Sequence, residues 1–231
     1  MLAALTAGRR RMRQVWIAGE LDPAPVLDDI RAAAERTGVT LSVVTTEEVA
    51  ERSRTETPQG VIARGDAIPE ADLESLLADP EAFLVALDGV TDPGNLGAVL
   101  RSAEGAGATG VVLPKRRAVH LTPAAVKAAA GAAEYLPVAL ASGIPAAIEQ
   151  ASRAGVWSVG LDGDGDGEVY DIPVAGRALM LVLGAEGRGL ARLTRDRCDL
   201  VVRIPMRGSV ESLNVAAAAT LACYEVARAR R

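Results

Sequence analysis

Three short segments hold most of the side chains able to do polar chemistry. LDGVTDPGNLGAVLRSAEGAG (87–107) carries Asn95, Gly97 and Arg101 as N-x-G-x-x-x-R. LVLGAEGRGL (181–190) sets Glu186 among glycines at the end of an apolar run. IPMRGSVESLNVAAAAT (204–220) places Ser209, Ser212 and Asn214 ahead of a block of alanines. Two amides, hydroxyls, one carboxylate and one guanidinium can orient a substrate, stabilise an oxyanion and move a proton. The guanidinium itself stays protonated at any ordinary pH. Each segment alone also has a plain structural reading. Asp92 or Asn95 can cap a helix with Arg101 solvated, Glu186 can cap the helix that follows it, and Ser209 or Ser212 can cap the last one. Asn95 and Arg101 lie six apart, too far for the i, i+4 neighbour rule, so they converge only if Asn95 sits in the loop before the first turn. Asn214, read as lying just inside the apolar run, is a poor helix former that capping by a serine leaves unexplained.

Other chemistries are excluded by what stands elsewhere. His120 is the only histidine and has no nucleophile elbow beside it, and the Cys and His content is too low for a zinc site. No metal is called for. GAGATG (105–110) spells a dinucleotide fingerprint, but it ends a helix and precedes a strand, the reverse of what pyrophosphate binding requires. LDGDGDGE (161–168) alternates acids like a calcium loop, yet Pro173 occupies the place of the bidentate Glu. It reads as a flexible solvated loop.

The elements that must position these segments are legible as alternating patterns. VWIA (15–18), LSVV (41–44) and VIAR (61–64) are strand-like, separated by helical stretches near 24–37 and 46–53. From Phe83 the runs FLVALD, GVVLP, LPVALA, WSVGLD, ALMLVLG and LVVRIP are apolar enough for burial on both faces, as in a parallel sheet. Helices are expected at about 95–106, 122–131, 144–154 and 189–196, with a last one from near Ser212 to about Ala229. The organisation predicted is a small α/β domain (1–65), a linker (66–82) and a larger α/β domain (83–231).

Hydrophobic residues make up 49% of the 231 and charged ones 24%, so a sizeable core is available to a soluble chain. Only six residues are aromatic, which leaves aliphatics and alanine to fill that core. A net charge of -5 argues against coating nucleic acid indiscriminately. Within 188–207, however, six arginines face only Asp196 and Asp199, and a second basic cluster stands at Arg9, Arg10, Arg11 and Arg13. No apolar run approaches the roughly 20 residues that span a bilayer. Two cysteines make no disulfide framework, so a reduced cytoplasmic setting is expected.

The three segments, in order, spacing and wording, resemble the signature motifs of the SpoU/TrmH-type RNA 2′-O-ribose methyltransferases of the SPOUT superfamily. The resemblance runs over roughly 83–231 and is closest to the bacterial 23S rRNA guanosine 2′-O-methyltransferases. The domain before it resembles an L30e-like RNA-binding domain. Family domains of that kind usually begin with a further strand and an HG-type motif, absent from MLAALTAGRRR, so a start that is trimmed or lies upstream is expected.

The resemblance implies a C-terminal parallel-sheet domain with a deep trefoil knot, working as a homodimer on S-adenosylmethionine (AdoMet). Periodicity shows no knot. By motif, Gly184, Ile204 and Leu213 hold the cofactor, with Met206 and Ser209 along the same wall. Arg101, Asn95, Glu186, Ser212 and Asn214 form the reacting centre. Arg188 and Arg207, with Arg9, Arg10, Arg11 and Arg13, are the expected RNA contacts. The implied reaction is methylation of a ribose 2′-hydroxyl in 23S rRNA. Transfer RNA as the target, or a non-catalytic RNA-binding or ribosome-assembly role, are the alternatives.

Overall fold

The apolar runs become strands in a computed structural model that describes residues 1–55, 57–116, 118–185 and 187–231. The chain divides into two compact units.

The first comprises residues 1–69 together with 131–135. Its elements are α1 (Leu2–Thr6), β1 (Met12–Ala18), α2 (Pro25–Thr37), β2 (Thr40–Val44), α3 (Thr46–Arg52) and β3 (Val61–Gly65). β1 lies at the centre of the sheet, parallel to β2 and antiparallel to β3. Strand alternation turns Val15 and Ile17 to one face, where they meet Leu27, Ile30, Ala33 and Ala34 of α2. That helix starts on Pro25, whose fixed φ suits a first turn. α3 is set by a capping box: Thr45 accepts from the Glu48 amide and Glu48 accepts from the Thr45 amide.

The second unit holds residues 70–130 and 136–231. Its elements are α4 (Leu73–Leu77), β4 (Phe83–Asp88), α5 (Pro93–Gly105), β5 (Gly110–Pro114), α6 (Pro123–Ala128), β6 (Val138–Ala141), α7 (Ile144–Arg153), β7 (Trp157–Leu161), β8 (Gly167–Glu168), β9 (Leu179–Gly184), α8 (Arg192–Arg197), β10 (Leu200–Arg203) and α9 (Val215–Ala229). The sheet order is β6-β5-β4-β9-β7-β10-β8, and every pairing is parallel. β4 and β9 are buried along almost their whole length, as strands covered on both faces must be. α9 is fastened at its far end by Arg230, which donates to the carbonyls of Ala175, Glu81, Ala82 and Arg177 and lies over the Phe83 ring. Among the described residues no helix is long and apolar enough to cross a membrane.

Three sequence expectations are revised. Residues 70–82, read as linker, belong to the larger unit: Ala71 bridges to Ala139, and Leu73 and Leu77 enter its core. The 161–168 segment, read as a flexible solvated loop, supplies the edge strand β8, and Gly165 sits so close to Val202 that a Cβ would lie 2.4 Å from its carbonyl carbon. The last helix begins at Val215, three residues later than expected.

Candidate functional site

Asn214 explains the late start of α9. Its backbone is extended, and its Oδ1 accepts from the Ala216 amide at 2.8 Å, so Asn214, and neither Ser209 nor Ser212, is the N-cap. The cap fixes which way the amide points. Nδ2 is then turned outward and donates to Asn95 Oδ1 at 3.1 Å. Asn95 itself lies inside the first turn of α5, where its backbone amide donates to the cap Asp92, not in the preceding loop as convergence was expected to require.

α5 and α9 run side by side in the same direction, because Ser102 and Thr220, about two turns on, bring their hydroxyl oxygens to 2.6 Å. A single amide hydrogen bond contributes about 1 kcal/mol net. Burying Leu96, Val99 and Leu100 on one helix and Val215, Ala219, Cys223 and Val226 on the other contributes several times that. Burial therefore holds the helices, and the Asn95–Asn214 bond orients two amides. Gly97 serves packing: a Cβ there would meet Ala128 Cβ at 2.3 Å. Arg101 is exposed and, six residues beyond Asn95, lies about 120° around α5 from it. The single chain does not bring it onto the Asn95–Asn214 face. Glu186 lies outside the described residues.

Beside this amide pair the larger unit has a cavity of about 540 Å³, walled by three loops at the carboxyl ends of β7, β9 and β10. Gly184, Ile204, Met206, Leu213 and Ser212 line it, as does Arg188; Ser209 is exposed and stands outside the lining. The β9 loop turns back on its own strand. Ala185 bridges Gly189, and a Cβ on Gly184 would come within 2.1 Å of the Gly189 carbonyl. Gly189 has φ +63°, a left-handed backbone that strains residues bearing a Cβ.

The lining suits AdoMet. Its volume falls within the usual range of small-ligand sites. Leu161, Leu183, Val215 and Ala218 give an apolar slot for a purine, while Asp164 and Glu211 supply negative charge for a sulfonium and an ammonium group. A cysteine nucleophile has no place here. Burial pushes the Cys198 thiol up to about 12, with Asp199 and Asp88 adding to the effect, and burial does the same to Cys223. Among the described residues no cluster of His, Cys, Asp or Glu is arranged to hold a metal.

The arginines divide. In the 188–207 segment Arg195 pairs with Asp162, Arg197 with Glu149, Arg192 with Asp196 and Arg203 with Glu168. Arg188 and Arg207 are exposed and make no ion pair among the described residues. In the first unit Arg10 is bound to Glu134 and Arg13 to Asp66, while Arg11 is exposed. The sequence reading missed Asp162 as an organising residue; the acidic alternation around it was visible, its partners were not.

Family models match both units: SpoU rRNA Methylase family over residues 82–224 and RNA 2′-O ribose methyltransferase substrate binding over residues 1–71. The 23S rRNA (guanosine-2′-O-)-methyltransferase RlmB of Escherichia coli strain K12 is 40% identical, across 99% of this chain and 95% of that protein. Its namesake in Shewanella oneidensis is 39% identical, across 99% and 94%. Among solved structures, the SpoU methyltransferase AviRb from Streptomyces viridochromogenes in complex with AdoMet is similar at TM-score 0.81 and 29% identity, covering 99% of this chain and 86% of that one. The AdoMet-bound rRNA methyltransferase of Sinorhizobium meliloti gives 0.82 and 26%, covering 99% and 84%.

Proposed function

Because the chain belongs to the SpoU rRNA Methylase family, we propose that it transfers a methyl group from AdoMet to the ribose 2′-hydroxyl of a guanosine in 23S rRNA. The observation that carries this reading is the convergence of the second and third motif segments on one cavity, with the Asn95–Asn214 amide pair at its side. When bound there, AdoMet supplies an electrophilic methyl group on a positively charged sulfur. The backbone around Gly184, Ile204 and Leu213 holds the adenosine, with Met206 on the same wall.

The residues of this chain then have two tasks. Asn95, Asn214 and Ser212 align the ribose so that its 2′-oxygen points at the methyl carbon, and alignment of that kind supplies much of the acceleration in a displacement reaction. The hydroxyl must also lose its proton. Glu186 or a water takes it, and Arg101, which stays protonated, stabilises the developing alkoxide and a neighbouring phosphate.

Arg101 faces out of its own chain, which suits a site completed between two copies. Val210 and Tyr224 are large apolar side chains left exposed by the same unit, and they support a homodimer. The trefoil knot belongs to this reading too, with β7, β9, β10 and the helix they feed as its strands and thread. Arg188 and Arg207 take phosphates of the RNA at the cavity, Arg9 and Arg11 contribute from the smaller unit, and the working compartment is the cytoplasm.

The test is transfer of radiolabelled methyl from AdoMet to purified unmodified 23S rRNA, 16S rRNA and tRNA, with Arg101→Ala run alongside. Label confined to 23S rRNA and resistant to alkaline cleavage is the expected result. Arg101→Ala should cut turnover by about a hundredfold or more, the scale seen when one oxyanion-stabilising group is removed, and leave AdoMet affinity nearly unchanged. Equal losses in turnover and affinity would remove Arg101 from the reacting centre.

A further inference from the structure

The cavity wall depends on a carboxylate that no motif contains. Asp162 follows β7 directly, and its backbone amide is tied to the Val202 carbonyl at 3.0 Å. Its side chain, 13% exposed, is surrounded by donors. Oδ2 accepts from the Leu190 amide at 3.1 Å; Oδ1 accepts from the Asp164 amide at 3.1 Å and from Arg195 Nη1 at 2.8 Å. Arg195 Nη2 donates in turn to the Asp164 carbonyl at 2.9 Å. The carboxylate also packs on the backbone of Gly189, where a Cβ would stand 2.7 Å from Oδ2.

The neighbouring residue of α8 makes a second anchor. Thr194, fully buried, donates to Asp88 Oδ2 at 2.5 Å. Asp88 ends β4 opposite Gly184, and Asp162 follows β7; these are the two strands that flank β9. Two adjacent side chains of α8 therefore grip the strand ends on either side of β9. α8 and Leu190, which precedes it, are thereby tied to both flanking strands, and Gly187, Arg188 and Gly189 just before them line the cavity.

We infer that Asp162 and Arg195 are a positioning pair for the AdoMet site: they hold Gly189 and Leu190, at the cavity wall, where the cofactor needs them. This rests on the methyltransferase reading above. Three donors already occupy the carboxylate, so its part is to hold the wall rather than to bind the cofactor. A pair that acts through cofactor binding should move affinity for AdoMet and little else.

The experiment is calorimetric titration of AdoMet into full-length wild type, Asp162→Ala, Arg195→Ala, the double variant and Arg195→Lys. Steady-state kinetics at saturating AdoMet accompany each titration. Each alanine variant should weaken AdoMet binding about tenfold, and the double variant no more than the worse single one, since contacting residues couple. The turnover number and the KM for RNA should stay within about twofold. Arg195→Lys, which keeps the charge and one donor, should recover part of the affinity and covers the case of an alanine variant that does not fold. Arg197→Ala, which breaks an ion pair of the same helix with Glu149, should leave affinity unchanged. Alanine and lysine variants that all bind AdoMet as wild type does would overturn the proposal, as would losses matched by Arg197→Ala. Wild type that binds no AdoMet would instead sink the methyltransferase reading itself.

Discussion

The two arginine-rich regions look alike in sequence and are used differently. In the first unit, the arginine with the most buried partner, Arg10, is consumed by structure. Its side chain is 18% exposed, binds the carboxylate of Glu134, whose side chain is 3% exposed, and donates as well to the Asp66 carbonyl. Among the described residues four of the six arginines of the 188–207 segment are also paired, and the other two, Arg188 and Arg207, stand on the cavity wall and on the loop beyond β10. A count of charges suggests two RNA-binding patches of similar strength. Partnering shows one cluster that largely builds its own unit and another that, among the described residues, keeps two unpaired cations, one of them on the cavity wall.

The largest effect expected from this contrast is on stability. Arg10→Ala takes from the buried Glu134 carboxylate the guanidinium that binds it and leaves only the Met1 ammonium to oppose its charge. Breaking a buried pair in this way costs about 3–5 kcal/mol. For a chain of this size that is a fall in Tm on the order of 10 °C, measurable by calorimetry. The double replacement Arg10→Leu with Glu134→Leu should recover most of the loss, because it removes both charges together. A double variant as unstable as the single one would mean that the Asp66 carbonyl contact, not the ion pair, is what Arg10 provides.

Next in size is the salt dependence of RNA binding. Each phosphate contact that is lost lowers the slope of log K against log salt by about 0.7–0.9. Arg188→Gln and Arg207→Gln should each do so, together by close to twice that, while Arg197→Gln, already neutralised by Glu149, should leave the slope unchanged. Binding measured over a range of salt concentrations checks this directly. An Arg197→Gln slope as shallow as that of Arg188→Gln would erase the distinction between paired and available charge in this segment.

The same contrast shows what a sequence can and cannot convey. Strand positions were legible because burial on both faces leaves an uninterrupted apolar run, as FLVALD and ALMLVLG do. The motif segments were recognised by their resemblance in order and spacing to a family, not from their residue types alone; four of the five residues that the resemblance assigned to the cofactor line one cavity. Partnerships were not legible. Arg10 and Glu134 are 124 residues apart, and Asp162 and Arg195 are 33 apart, so nothing local marks either pair. The acids of LDGDGDGE looked solvated because acidic, glycine-rich loops usually are. Only the fold brings Arg195 and the Leu190 amide to Asp162. Asn214 was misplaced for a related reason. A cap is defined by where the helix begins, and alanine-rich sequence gives no sharp signal of that start.

The smallest effect tests where the line between the two uses of arginine falls. Arg13 and Asp66 form an ion pair at 2.7 Å with side chains 50% and 46% exposed. An exposed pair of this kind contributes under about 1 kcal/mol and is screened by salt. Arg13→Gln should therefore shift Tm by no more than about 2–4 °C, against the much larger fall expected for Arg10→Ala. Its influence on RNA binding is the more telling measurement. An unchanged salt slope would place Arg13 with Arg10 among the structural arginines. A slope reduced as far as in Arg188→Gln would mean that a weak, solvated pair gives up Asp66 for a phosphate when RNA arrives. The division would then be set by burial rather than by pairing, and Arg192, whose pair with Asp196 is looser at 3.7 Å, would cross to the RNA-binding side for the same reason.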